Sequence, residues 1–175
     1  MLCPSCNGSS LKPIKLQDRL PARECSKCHG VLIDLLVYRA WADNTPSVET
    51  SGLDVEEAND NSKALVCPKC SKLMLKYRIS GKQPNKVDIC THCDEAWLDH
   101  GEWALLGSLS LQEKLTAIFT EPWQRQIREE EIKLAQERRF EILLGSEDYK
   151  KLTAIKGWID SHPKKDDLIR FLMPR

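Results

Sequence analysis

Cys67-Pro68-Lys69-Cys70, then 19 residues, then Cys90-Thr91-His92-Cys93: this stretch limits how the chain can fold. Two thiols three positions apart in a tight turn can aim both sulfurs at one ion. A second such turn completes a tetrahedron with Zn–S distances of about 2.3 Å. Paired thiols, a spacer of about 15–20 residues and two more paired thiols are the spacing of a four-cysteine zinc site. The same arrangement stands earlier in the chain, as Cys3-Pro4-Ser5-Cys6, 18 residues, and Cys25-Ser26-Lys27-Cys28. These four pairs use all 8 cysteines. The candidate ligands are Cys3, Cys6, Cys25 and Cys28 for one zinc ion, and Cys67, Cys70, Cys90 and Cys93 for a second.

Three other uses of the thiols compete. A disulfide framework needs an oxidising compartment. Met1-Leu2-Cys3-Pro4 opens without the basic region and apolar stretch of a secretory signal, so the expected location is the cytoplasm. A thioredoxin-like motif is normally one Cys-x-x-Cys at a helix N-terminus. Four of them, with Pro4 and Pro68 inside two, fit that poorly. Iron–sulfur ligation by four cysteines is chemically competent, but the spacing favours structural zinc.

The two stretches belong to a repeat. Cys3-Pro4-Ser5-Cys6 aligns with Cys67-Pro68-Lys69-Cys70, and Cys25-Ser26-Lys27-Cys28 with Cys90-Thr91-His92-Cys93. The register continues, matching Leu32 with Trp97, Asp34 with Asp99 and Tyr38 with Trp103. Within each module, Leu11–Leu16 or Leu73–Ile79 reads as a strand after the first knuckle. Lys86-Val87-Asp88-Ile89 reads as its hairpin partner in module two. Asp34 and Asp99 stand where helix N-caps are expected, ahead of Leu35–Ala40 and Gly101–Leu106. A unit of about 40 residues is too small for a self-sufficient core, so metal should supply much of its folding energy.

These residues resemble the TFIIB-like zinc-finger family, zinc ribbons found singly or in pairs in many bacterial proteins. The family pattern is Cys-Pro-x-Cys, about 18–20 residues, then Cys-x-x-Cys-x-Gly-x-Trp-Leu-Asp and often Gly-Glu. Module two continues with Trp97-Leu98-Asp99-His100-Gly101-Glu102 but has Glu95 at the glycine position. Module one keeps Gly30 and Asp34, has Leu32 at the tryptophan position and lacks Gly-Glu. The resemblance implies a small α+β fold: two four-cysteine zinc ribbons, each a short antiparallel hairpin plus a short helix, followed by an α-helical C-terminal region. Trp97 reads either as packing against a zinc knuckle, which is favoured, or as an exposed anchor. His29, His92 and His100 lie near the thiolates and are weaker candidate ligands.

The segments are expected at 1–42 (ribbon one), 43–64 (linker), 65–107 (ribbon two) and 108–175 (helices). Residues 43–64 carry 6 acids against 1 base and read as a flexible acidic linker. From Ser108 the pattern is helical. Ser110-Leu111-Gln112-Glu113 has capping-box form, ahead of a short helix ending near Phe119. Glu121–Leu144 is a charged helix that Gly145 stops and Ser146 follows as an N-cap. Glu147–Ser161 and a last short helix holding Leu168, Ile169, Phe171 and Leu172 complete the region. These helices are expected to pack on each other as a small bundle. A partner surface follows if their apolar residues prove exposed.

With 26 basic and 26 acidic residues, the formal charge is zero, without the basic excess of a strong non-specific nucleic-acid binder. Four thiolates and one Zn²⁺ carry −2, so two filled sites take the protein to about −4. No apolar run approaches the roughly 18–20 residues of a membrane helix, so no membrane association is expected. No Ser/His/Asp set, phosphate-cradling glycine loop or His-Glu-x-x-His is present, and no catalytic residues are assigned. The expected function is a zinc-binding, non-catalytic adaptor in a transcription-related process. It would engage a protein partner through its ribbons, its C-terminal helices or both. One alternative is a nucleic-acid-binding ribbon protein, using Lys12, Lys15, Arg19 and Arg23 in module one and Lys72, Lys76, Arg78, Lys82 and Lys86 in module two. Another is a redox-sensitive zinc switch.

Overall fold

A computed structural model describes residues 1–6, 8–44, 58 and 62–173. Most of the acidic linker expected at 43–64 therefore lies outside the described residues. The chain divides into two compact units, Met1–Arg128 and Glu129–Arg175.

In the first unit, module one contains β1 (Leu11–Lys15), a 3-10 turn, β2 (Pro21–Cys25), β3 (Val31–Asp34) and α1 (Leu35–Ala42). Module two repeats the order with β4 (Leu75–Arg78), β5 (Lys86–Cys90), β6 (Glu95–Leu98) and α2 (Glu102–Ser108). Each module thus has a third strand where the sequence suggested only a run-in to the helix. The reason lies in burial. Val31, Leu32 and Ile33, like Ala96, Trp97 and Leu98, are buried whichever face they point to. A strand covered on both faces reads as a continuous apolar run, not an alternating one.

Those two strands join the modules. All six strands form one antiparallel sheet in the order β1-β2-β3-β6-β5-β4. Its centre is the β3–β6 pair, with Val31 opposite Leu98, Leu32 opposite Trp97, Ile33 opposite Ala96 and Asp34 opposite Glu95. Alternation along the strands separates two cores. On one face Val31, Ile33, Ala96 and Leu98 pack with Leu35 and Tyr38 of α1, Leu105 and Leu106 of α2, and the following Leu115 and Ile118. On the other face Leu32 and Trp97 pack with Leu11, Leu65, Met74 and the cysteines of both modules. The sheet is layered between helices and the two thiol clusters.

The caps differ between modules. Asp34 caps α1 as expected, its carboxylate accepting from the backbone N–H of Leu36 (2.9 Å) and Val37 (3.2 Å). Asp99 does not cap α2. The residue before that helix is Gly101, in the left-handed region at φ 84°, and Asp99 is used elsewhere. Nor does Ser110 open a capping box: it adopts φ 54° ahead of a 3-10 turn at Gln112–Lys114, and α3 spans only Leu115–Ile118. Gln112 is turned inward, donating from Nε2 to the Trp103 carbonyl at 2.9 Å. This ties the loop to α2, so the turn serves tertiary contacts rather than a cap.

α4 (Glu121–Leu144) starts in the first unit, where Ile127 is buried. The second unit contains α5 (Ser146–Ser161) and α6 (Lys165–Leu172). Gly145 has φ 78° and stands at the N-cap of α5. Ser146 is instead the first helical residue, its hydroxyl donating to Glu141 Oε1 at 3.0 Å. The expected bundle with a core of its own is not seen, because no residue of α5 or α6 is buried. Among the described residues, no helix is long and apolar enough to cross a membrane.

Candidate metal centres

The structure brings the eight cysteines together in the two quartets the spacing suggested: Cys3, Cys6, Cys25 and Cys28, and Cys67, Cys70, Cys90 and Cys93. Within each, the four sulfurs all lie within 4.8 Å of one another. A tetrahedron with Zn–S bonds of about 2.3 Å has sulfur–sulfur edges of about 3.8 Å. The observed separations are 3.6 Å for Cys3–Cys28, 3.9 Å for Cys25–Cys6 and 3.5 Å for Cys70–Cys90. They are far longer than a disulfide bond of about 2.0 Å, and all eight thiols are free. The donor set fits two zinc ions, one per quartet.

The chain makes these quartets by local turns. The residue after the second cysteine of three knuckles is left-handed: His29 at φ 56°, Ser71 at 61° and Asp94 at 53°. Within the Cys-x-x-Cys turns themselves, backbone amides two or three residues after the first cysteine point at its sulfur. Cys6 N–H donates to Cys3 Sγ at 3.3 Å, Lys27 N–H to Cys25 Sγ at 3.4 Å, and Lys69 N–H to Cys67 Sγ at 3.4 Å. Such donors stabilise thiolate. Around Cys70, the Lys72 amide outweighs burial, and with the neighbouring thiols brings the thiol down to about 7. Around Cys3, burial dominates and pushes the thiol up to about 11. A divalent cation would make thiolate the resting form of all four sulfurs in a quartet.

Trp97 settles between the quartets. It is fully buried, so the packing reading holds and the exposed-anchor reading does not. Its indole N–H donates to Asp99 Oδ1 at 3.0 Å, and the Asp99 N–H donates to Glu102 Oε2 at 2.9 Å. That chain explains why Asp99 is not a helix cap and why Glu102 is buried. The indole ring lies on Gly30 of module one so closely that a Cβ there would overlap it. Gly30 and Trp97 are therefore one contact contributed by two modules. In the mirrored place, Leu32 is opposite Trp97 and Glu95 opposite Asp34. Glu95 is buried and accepts from Lys69 Nζ at 2.9 Å. Leu32 and Asp34 of module one and Lys69 and Glu95 of module two border an open cavity of about 400 Å³.

No described histidine joins a quartet. His29 Nδ1 lies 3.2 Å from Glu24 Oε1, His92 Nδ1 lies 3.1 Å from Lys72 Nζ, and the His100 ring is 5.6 Å from that of His29. The basic residues do not all stay available either. Lys76 is committed to buried Asp88, with Nζ 2.8 Å from Oδ2. Lys12, Lys15, Arg19, Arg23, Lys72 and Lys82 remain exposed.

The sequence did not reveal Tyr38 as a clamp. Its hydroxyl donates to the Gln112 carbonyl at 2.8 Å and accepts from the Leu115 N–H at 2.9 Å. The repeat register with Trp103 was the only signal at that position, and it says nothing of this contact.

Neither the curated proteins nor the solved structures contain a match to the chain. The second quartet, with the same order of strands and helix around it, suggests a second ribbon. Residues 2–44, which hold the first quartet, match the family described as transcription factor zinc-finger, the TFIIB-type zinc ribbon.

Proposed function

We propose that this protein is a zinc-stabilised, non-catalytic adaptor whose C-terminal helices engage a protein partner. The carrying observation is that α5 and α6 bury none of their residues, while Leu152, Ile155, Trp158, Ile169, Phe171 and Leu172 are exposed. Exposed apolar patches of more than a few hundred Å² mark interaction sites, and an amphipathic helix is a common form for one to take. The metal centres suit a scaffold. Four thiolates fill a tetrahedral ion and leave no position for a substrate or activated water. A role in transcription is the process that the ribbon match suggests.

The test is cross-linked capture in the native cell with the wild type, a Trp158→Asp/Phe171→Asp variant and a Cys67→Ser/Cys70→Ser variant. Loss of a partner in the helix variant supports this reading. Loss only in the cysteine variant assigns binding to the ribbons instead. If no partner is enriched over a control bait, the adaptor reading is wrong.

Nucleic-acid binding by the ribbons is the second reading, supported by the exposed Lys12, Lys15, Arg19 and Arg23. It is weakened by the commitment of Lys76 to Asp88. Retention on DNA or RNA at low salt that falls steeply as salt rises would favour it.

A further inference from the structure

We propose that the two metal sites load as one. Zinc at either quartet raises the affinity of the other, and the singly loaded chain is a minor species. This rests on the reading of both quartets as zinc sites.

Cys3, Cys25, Cys67 and Cys90 share a single buried cluster with Leu32 and Trp97, and the half-buried Cys6, Cys28, Cys70 and Cys93 pack against it. β3 begins three residues after Cys28, and β6 begins two residues after Cys93. These two strands pair with each other across the modules. Each second knuckle also touches the opposite module through its left-handed residue. The Asp94 carbonyl accepts from the Leu35 N–H at 2.8 Å. The His29 ring meets that of His100. Trp97, on the strand leaving the second quartet, is the cover over Gly30 beside the first.

A lone module of this size depends on its metal to fold. The first ion to bind would order one half of the sheet. That half is the template for the β3–β6 pair and one wall of the shared cluster. The second ion then meets thiols already partly held in place, so less ordering remains to be done when it binds. Because the coupling is an equilibrium property, it must be reciprocal.

The experiment is zinc titration of the full apo chain, under reducing conditions, followed by native mass spectrometry. At one equivalent, two equal and independent sites would leave about half of the chains with one ion, whereas coupled sites leave chiefly the empty and doubly loaded forms. Competition with a chelator then gives the affinity of each site alone. Cys67→Ser/Cys70→Ser should weaken zinc at the first quartet, and Cys3→Ser/Cys6→Ser should weaken it at the second. The two losses should be similar, in the range of about 5–150-fold. Gly30→Ala replaces no ligand, and the backbone bond from the Cys25 N–H to its carbonyl (3.0 Å) is one any residue can make, but the added Cβ displaces the Trp97 ring. It should leave two ions bound at saturation and raise the singly loaded fraction.

A wild-type chain that takes two ions yet accumulates the singly loaded form to half or more overturns the loading of the two sites as one and leaves the zinc reading standing. So do cysteine variants whose remaining site keeps its affinity. A chain that never takes up two ions overturns both. The cysteine variants decide the matter even if Gly30→Ala proves poorly folded.

Discussion

Tyr38 is enclosed on all sides, and its hydroxyl joins α1 to the loop after α2. Tyr38→Phe leaves the Gln112 carbonyl and the Leu115 amide without that partner. It should cost about 1–3 kcal/mol, measured by urea unfolding of the zinc-loaded protein. Burial pushes the hydroxyl from its ordinary 10.0 up to about 12. The folded state therefore holds the proton after the unfolded chain has released it. That contribution is fully present below about pH 10 and is lost as pH rises from there to about 12. The Tyr38→Phe variant should show a shallower loss of stability over that window. Asp99→Leu should cost a similar amount, about 1–3 kcal/mol, because it strands the buried Trp97 indole N–H. The eight thiols were legible because their spacing is local chemistry. The roles of Asp99 and Trp97 were not. An aspartate ahead of a helix looks the same whether it caps the helix or holds an indole, and the partner of Trp97 is a glycine 67 positions away.

The strands β1, β4 and β5 and the helices α1, α4, α5 and α6 could be read from alternation, caps and stops, because each of those signals lies within its own segment. The β3–β6 pair could not. Val31-Leu32-Ile33 is an apolar run before a helix, and nothing within it names its neighbour in the sheet. The Ser110 region misled for a related reason: the spacing of a capping box was present, but the pull of Tyr38 and Trp103 on Gln112 set the backbone. Where a cap is real, its removal is measurable. Asp34→Ala deletes the acceptor for two amides at the start of α1 and should cost about 0.5–2 kcal/mol. Thermal unfolding of the zinc-loaded protein would detect it. No loss of stability would mean that the β3–α1 junction is held by packing alone.

Both cores and both quartets lie within Met1–Arg128. A chain ending at Arg128 should bind two zinc ions by elemental analysis and unfold with a midpoint within a few degrees of the full chain. It should lose the partner captured through α5 and α6. Chelation should unfold the same unit, visible as loss of near-ultraviolet signal from the buried Trp97, with recovery on zinc addition. Persistence of that signal without metal would show that the shared sheet is self-sufficient.

The order of the sheet also has a consequence for synthesis. Strand β3 ends at Asp34, and its partner β6 is complete only at Leu98. At about 5–20 residues per second, translation of the intervening chain takes about 3–13 s. For that interval the nascent chain has only the three strands β1-β2-β3, with β3 as a bare apolar edge, the kind of surface that pairs with whatever strand it meets. Zinc available early would hold the emerging knuckles in place, but only the arrival of Trp97 can cover Gly30 and Leu32. The protein is thus most exposed to misassembly before its second half has left the ribosome.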